Sequence, residues 1–145
     1  CHIVEVEIEP ETGIVTVLRY SAIDDCGTVL DRTIADGQTI GGVAQGLGQA
    51  LIEAVRYDED GQVLSGSLMD YGIPRADMMP SEIVAAFHPV RCTTNVLGVK
   101  GVGEAGTTAA IAAIMNAIAD AIPDGRGIDI AMPATPEKIW LACNG

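Results

Sequence analysis

The run Gly98-Val99-Lys100-Gly101-Val102-Gly103-Glu104-Ala105-Gly106-Thr107-Thr108 constrains this chain more than any other stretch. It sets one carboxylate, Glu104, among four glycines, and an uncharged segment with apolar residues at Ile111, Ile114, Met115, Ile118 and Ile122 follows. That spacing predicts a helix from Thr108 to Ile122. Glycines let a backbone come close to another surface and take up positive φ at no steric cost. A helix start adds unpaired N–H groups and positive partial charge. A lone acid in that position is placed for chemistry; the plain alternative is an acid that only complements the helix dipole.

The 145 residues suit one domain. Hydrophobic residues make up 48% of them, yet no apolar run reaches the roughly 18 residues that cross a bilayer. The apolar excess is therefore expected to face other protein. A formal net charge of −12 argues against nucleic-acid phosphates and anionic membranes as partners. Cys1, Cys26, Cys92 and Cys143 show no metal-ligand spacing, so no metal set is assigned. Such scattered cysteines read as reduced thiols of a cytoplasmic protein. The chain opens on Cys1 inside an alternating strand pattern, which points to a piece of a longer polypeptide.

Val and Ile alternate with Glu from Ile3 to Ile8, the period of a half-buried strand. Pro10 to Gly13 is a turn and Ile14 to Asp24 a second strand, which makes a hairpin. A long helix is expected from Ala35 to Val55, with Ile40, Val43, Leu47 and Leu51 on its apolar side. Short strands are expected near Val63-Leu64, from Ser81 to Phe87 and from Gly127 to Ala131, and a closing helix from Pro136 to Ala142. Strands first and helices after predict an α+β fold, a mixed or antiparallel sheet with helices packed on it.

The long helix is unusual. It carries five glycines, each costing about 1 kcal/mol relative to Ala in a helix interior. No charged residue occurs between Gly37 and Ile52. At about 100° per residue, Gln38, Gly42, Gln45 and Gln49 share one arc, with Val43, Leu47 and Leu51 opposite. Either the glycines pack on a neighbouring helix beside an exposed amide face, or the amides line a groove for a polar heterocycle, which they can both donate to and accept from.

Gly101 to Gly106 also matches GxGxxG, a weak signal alone. A dinucleotide site needs a strand just before it, and Thr94 to Gly98 is a poor one. Glu104 would also repel a pyrophosphate.

Taken together, Asp24-Asp25-Cys26-Gly27, Gly37-Gln38, Gly41 to Gly48, Gly66 to Tyr71, Gly98 to Gly106 and Thr135 to Trp140 resemble the molybdenum-cofactor subunit of the xanthine dehydrogenase/aldehyde oxidase family, most of all the large subunit of carbon monoxide dehydrogenase-like enzymes. The resemblance covers nearly all of the chain and implies the C-terminal part of a molybdenum-cofactor-binding domain. It implies Glu104 as the catalytic acid–base. It implies Gln45 and the segment Lys100, Gly101, Val102, Gly103 as contacts of a molybdopterin, in simple or cytosine dinucleotide form; Gln38 and Gly42, on the same arc as Gln45, are expected to join them. The implied reaction is hydroxylation of an aldehyde, N-heterocycle or CO-type substrate with water as oxygen source. The implied partners are the remainder of the large subunit and iron–sulfur and FAD subunits; cofactor is not expected on the 145 residues alone. Where the family usually has Asn-Pro, this chain has Asp31-Arg32. A non-catalytic interaction fragment and, behind it, a dinucleotide binder are the other readings.

Overall fold

The computed structural model describes all residues from Cys1 to Gly145. Strands β1 (His2–Glu9) and β2 (Ile14–Asp24) form the expected hairpin, antiparallel, with a register irregularity between Glu5 and Val6. Strand β3 (Glu82–Phe87) lies parallel to the second half of β2, so the sheet has three strands in the order β1-β2-β3 and is mixed. Burial alternates along β1, with His2, Val4, Val6 and Ile8 turned towards the core.

Three helices complete the fold: α1 (Arg32–Leu51), α2 (Ala105–Ala121) and α3 (Pro136–Asn144). Helix α1 starts earlier and ends sooner than its apolar spacing predicts. Its start is set by Asp31, whose side chain accepts a hydrogen bond from the Ile34 N–H at 3.0 Å. Asp is a strong N-cap because it satisfies a donor that the helix cannot. Arg32 follows as the first helical residue, donates to the Ala85 carbonyl at 2.7 Å and lies over the Phe87 ring at 4.8 Å. The Asp31-Arg32 departure thus keeps a working cap and ties α1 to β3.

One core joins the sheet to the helices: Val17, Tyr20 and Ala22 of β2, Val43, Leu47, Ala50 and Leu51 of α1, Ala110, Ile114 and Ile118 of α2, and Ile139 of α3. Each large member contributes roughly 1.5–3 kcal/mol by leaving water. Ile40, expected on the apolar side, is 38% exposed.

Two expected strands do not form. Val63 makes only an isolated bridge to Tyr57. Gly127 to Ala131 forms no strand: Pro123–Asp129 is a 3₁₀ turn in which Asp124 and Gly125 take φ of 62° and 72°, a left-handed pair that turns the chain. No helix is long and apolar enough to cross a membrane.

At the end of the sheet, His2 is held between two side chains. Its Nδ1 lies 2.6 Å from the Tyr20 hydroxyl and its Nε2 3.1 Å from Asp24 Oδ1. Burial, and then the Asp24 charge, push the Tyr20 hydroxyl above the ordinary tyrosine range.

Candidate functional site

The glycines of α1 divide by what they meet. A side chain on Gly42 would run into the Thr107 N–H at 2.8 Å and Gly106 Cα at 3.0 Å; one on Gly46 would meet Ala110 Cβ at 2.6 Å. From the other side, a Cβ on Gly106 would collide with the Thr39 carbonyl and come within 3.0 Å of Val43 N. Here α1 and α2 approach backbone to backbone, which only residues without Cβ allow. Gly37 and Gly41 meet nothing within 4 Å.

That contact corrects the expected division of the helix. The buried side of α1 runs through Gly42, Gly46, Val43 and Leu47 to Leu51, and Gln38, Gln45 and Gln49 stand exposed along its margin rather than opposite the core. Gly42 therefore belongs to the helix contact and presents no open surface. Packing on a neighbouring helix accounts for Gly42 and Gly46, while the amides remain free beside the seam.

The seam carries the other expected residues. Thr107 Oγ1 lies 3.0 Å from the Gly42 carbonyl and 3.3 Å from Gln45 Oε1. A side chain on Gly103 would come within 3.8 Å of Gln38 Oε1. Gln38 and Gln45 on α1 thus flank the loop that leads to Glu104. Gln49 makes no such contact.

The loop itself is anchored at its near end. Gly27, at φ 65°, and Val99 form an antiparallel bridge. The Thr28 N–H donates to the Gly98 carbonyl at 2.9 Å, and the Lys100 N–H to the Cys26 carbonyl at 2.8 Å. A Cβ on Gly27 would collide with Gly98 and Lys100. Lys100 Nζ pairs with Asp25 Oδ2. Beyond Lys100 the pattern changes: the N–H groups of Gly101, Val102, Gly103 and Glu104 donate to no group of the chain.

Glu104 occupies the N-cap of α2, but its side chain caps nothing. It is exposed, with no hydrogen-bond or ion-pair partner, on a recess lined by Gly101, Gly103, Ala105, Thr108 and Ala109. The reading of Glu104 as a helix-capping acid thus lacks its hydrogen bond. The dinucleotide reading lacks its strand, because residues 93–97 form bends and turns. The largest hollow, about 690 Å³, lies elsewhere, between the start of β2 and Leu68 to Met79. None of the expected site residues lines it.

Two residues of this arrangement escaped sequence reading. Asp25 accepts from the Gly27 and Val90 N–H groups, both at 2.9 Å, as well as from Lys100. The Lys100 hydrogen bond first, and those N–H groups next, hold its carboxyl at about 2. Thr107 bridges the two helices. For Asp25 a signal existed, an acid two residues before a glycine, the spacing of a side-chain-closed turn. For Thr107 there was none. All four cysteines are free.

The sequence model of a family described as "Molybdopterin cofactor-binding domain" matches residues 1–80. The gamma subunit of the 6-hydroxypseudooxynicotine dehydrogenase complex of Paenarthrobacter nicotinovorans is 42% identical over 143 residues, which are 99% of this chain and 18% of that protein. A crystal structure of the Cu,Mo-CO dehydrogenase in its carbon monoxide reduced state superposes with a TM-score of 0.86 at 31% identity, over 94% of this chain and 17% of that one. Quinoline 2-oxidoreductase from Pseudomonas putida 86 gives 0.85 at 35% identity, over 95% and 17%. The chain thus spans less than a fifth of the length of each of these proteins.

Proposed function

Because this chain belongs to the molybdopterin cofactor-binding domain family, we propose that it forms one wall of the cofactor site of a molybdenum hydroxylase and supplies that enzyme's general base, Glu104. The enzyme would oxidise an aldehyde, an N-heterocycle or a CO-type substrate with water as oxygen source. The relatives support this class, being by name a dehydrogenase of a nicotine derivative, a CO dehydrogenase and a quinoline oxidoreductase.

The residues present suit a pterin. Gly101 to Glu104 offer a run of backbone N–H groups with no partner in the chain, and Gln38 and Gln45 can donate and accept beside them. When bound, the cofactor supplies the two-electron chemistry; the chain positions and moves protons. Gly101, Val102 and Gly103 donate to the ligand through their backbone. Gln38 and Gln45 hydrogen-bond its polar edge. Glu104, free of any internal partner, accepts the proton released as water attacks the substrate carbon. That partnerless carboxylate at the end of a run of free N–H groups is the observation that carries the reading.

Further parts of the large subunit would close the site, and iron–sulfur and FAD subunits would carry the electrons away in the cytoplasm. The cofactor would be the cytosine dinucleotide form or molybdopterin itself. The 145 residues alone would bind no molybdenum, since one wall is not a site.

In the enzyme that carries this chain, Glu104→Gln keeps shape and removes the base. Turnover should fall by at least about 10²–10⁴-fold, the usual contribution of a positioned base. Molybdenum and pterin content, measured on the same preparation, should stay at the wild-type level. Wild-type turnover in the Gln variant would return Glu104 to a structural acid.

A further inference from the structure

The turn after β2 does more than end the strand. Asp25 Oδ1 takes two backbone N–H groups, from Gly27 in its own turn and from Val90 after β3, which fixes the carboxylate before any charge partner arrives. Oδ2 is left to Lys100 Nζ. Both side chains are about a third exposed, 34% for Lys100 and 35% for Asp25. A pair this open is ordinarily worth little, because two long side chains lose freedom and solvent screens them. Here one partner is immobilised by the backbone, so only Lys100 has to be ordered.

Lys100 is also the last residue of the loop with a backbone bond to the Cys26 segment. Between it and α2 lie Gly101, Val102, Gly103 and Glu104, whose N–H groups have no partner in the chain. The direction in which these groups point is set between Lys100 and the first turn of α2, where the Val102 carbonyl accepts from the Ala105 N–H at 3.2 Å; Lys100 fixes the near end. The pairing also answers what the lysine is for. Its ammonium gives one of its three N–H donors to Asp25 and its backbone N–H goes to Cys26, so the lysine ties its loop to the turn after β2.

We propose that Asp25 is a positioning residue of the site: through Lys100 it fixes the backbone of Gly101 to Glu104 in the orientation that presents the free N–H groups and the Glu104 carboxylate to the ligand. This rests on reading that loop as a cofactor wall. Lys100 thereby moves from cofactor contact to anchor.

The test uses the holoenzyme carrying this chain as wild type, Asp25→Asn, Lys100→Met and the double variant. Hydrogen exchange of residues 98–104, molybdenum and pterin content, the Mo(V) electron paramagnetic resonance signature and turnover are read on each. Both single variants should speed exchange at Gly101 to Glu104 about ten-fold, with the middle of α2 unchanged. Both should shift the Mo(V) signature and cut turnover by up to about 10²-fold, the cost of misplacing a reacting group by an ångström. The double variant should be no worse than the worse single one, since the two residues act as one unit.

Exchange within two-fold of wild type in both single variants overturns the proposal. So does faster exchange with an unchanged Mo(V) signature and turnover, and so do losses that add in the double variant. If Asp25→Asn does not fold, Lys100→Met decides alone, since it leaves both backbone bonds to Asp25 in place. If the wild-type enzyme holds no molybdenum, the cofactor reading fails, and exchange of the Lys100 N–H, which the chain itself bonds to the Cys26 carbonyl, decides whether the tie exists.

Discussion

Two connections of similar character on paper behave differently in the fold. The segment 88–104, between β3 and α2, and the segment 52–81, between α1 and β3, both contain glycines, prolines and little periodicity. The first is pinned by backbone bonds from Thr28, Cys92 and Lys100, and a Cβ on its Gly98 would meet the Arg91 and Thr28 side chains. The second makes its backbone bonds within itself or to Gly48 near the end of α1, has internal side-chain ties such as the Tyr71 hydroxyl donating to Glu53 Oε2 at 2.5 Å, and exposes Leu68 at 80% and Met69 at 96%. A loop that must aim donors is built from backbone against backbone. Both leave apolar side chains uncovered, Val96 at 95% in the first as well as Met69 in the second, so what separates them is how far their backbone bonds reach.

The largest effect that can break this comparison sits at the seam. Gly106→Val should destabilise the chain by about 3 kcal/mol, because the new side chain meets the Thr39 carbonyl and Val43 N, which are helix backbone and cannot yield. Thermal unfolding measures it, and a loss below about 1 kcal/mol would mean that the helices can separate cheaply. Gly41→Ala is the control on the same helix. Nothing stands within 4 Å of that position, so alanine should stabilise by about 0.5–1 kcal/mol through helix propensity; destabilisation there would show that α1 needs its glycines for more than contact.

A smaller effect is read by acid titration. The Asp25 carboxyl is held at about 2 in the fold, below its unfolded value near 3.9. Its contribution is therefore complete above about pH 4 and is lost as pH falls towards 2. Removing Lys100 should move that limb to higher pH. The smallest effect belongs to the uncovered loop. Met69→Ser should alter stability by less than about 0.5 kcal/mol, since the side chain buries nothing. A larger loss would mean that segment 52–81 is packed rather than spanning.

Much of this was legible beforehand because it follows from local periodicity. The alternation of Ile3 to Ile8 and the spacing of Ile114, Ile118 and Ile122 dictate which sides go inward whatever the topology. Glu104 stood out because an acid among glycines at a helix start has few purely structural uses, and the glutamines stood out because an acidic protein ordinarily places charge on an exposed helix face. The 3₁₀ turn at Pro123–Asp129 was missed because Asp124 adopts a left-handed conformation that non-glycine residues rarely take. Gly42 is ambiguous in sequence, because a glycine beside glutamines reads the same whether it lines a groove or meets a helix, and the fold packs it against α2.

By itself, the sequence determined the hairpin, the third strand, the three helices, most of their greasy sides, and the family that the glycine loop and glutamine helix resemble. These are short-range properties, set by side chains three or four residues apart on a helix and two apart on a strand. Only the tertiary structure decided that β3 joins β2 in parallel, that Gly42 and Gly106 close a seam, that Thr107 reaches Gln45, and that Asp25 holds Lys100 across 75 residues of chain. Such contacts depend on where two distant backbones come to rest, which the packing of the core fixes and no local pattern encodes.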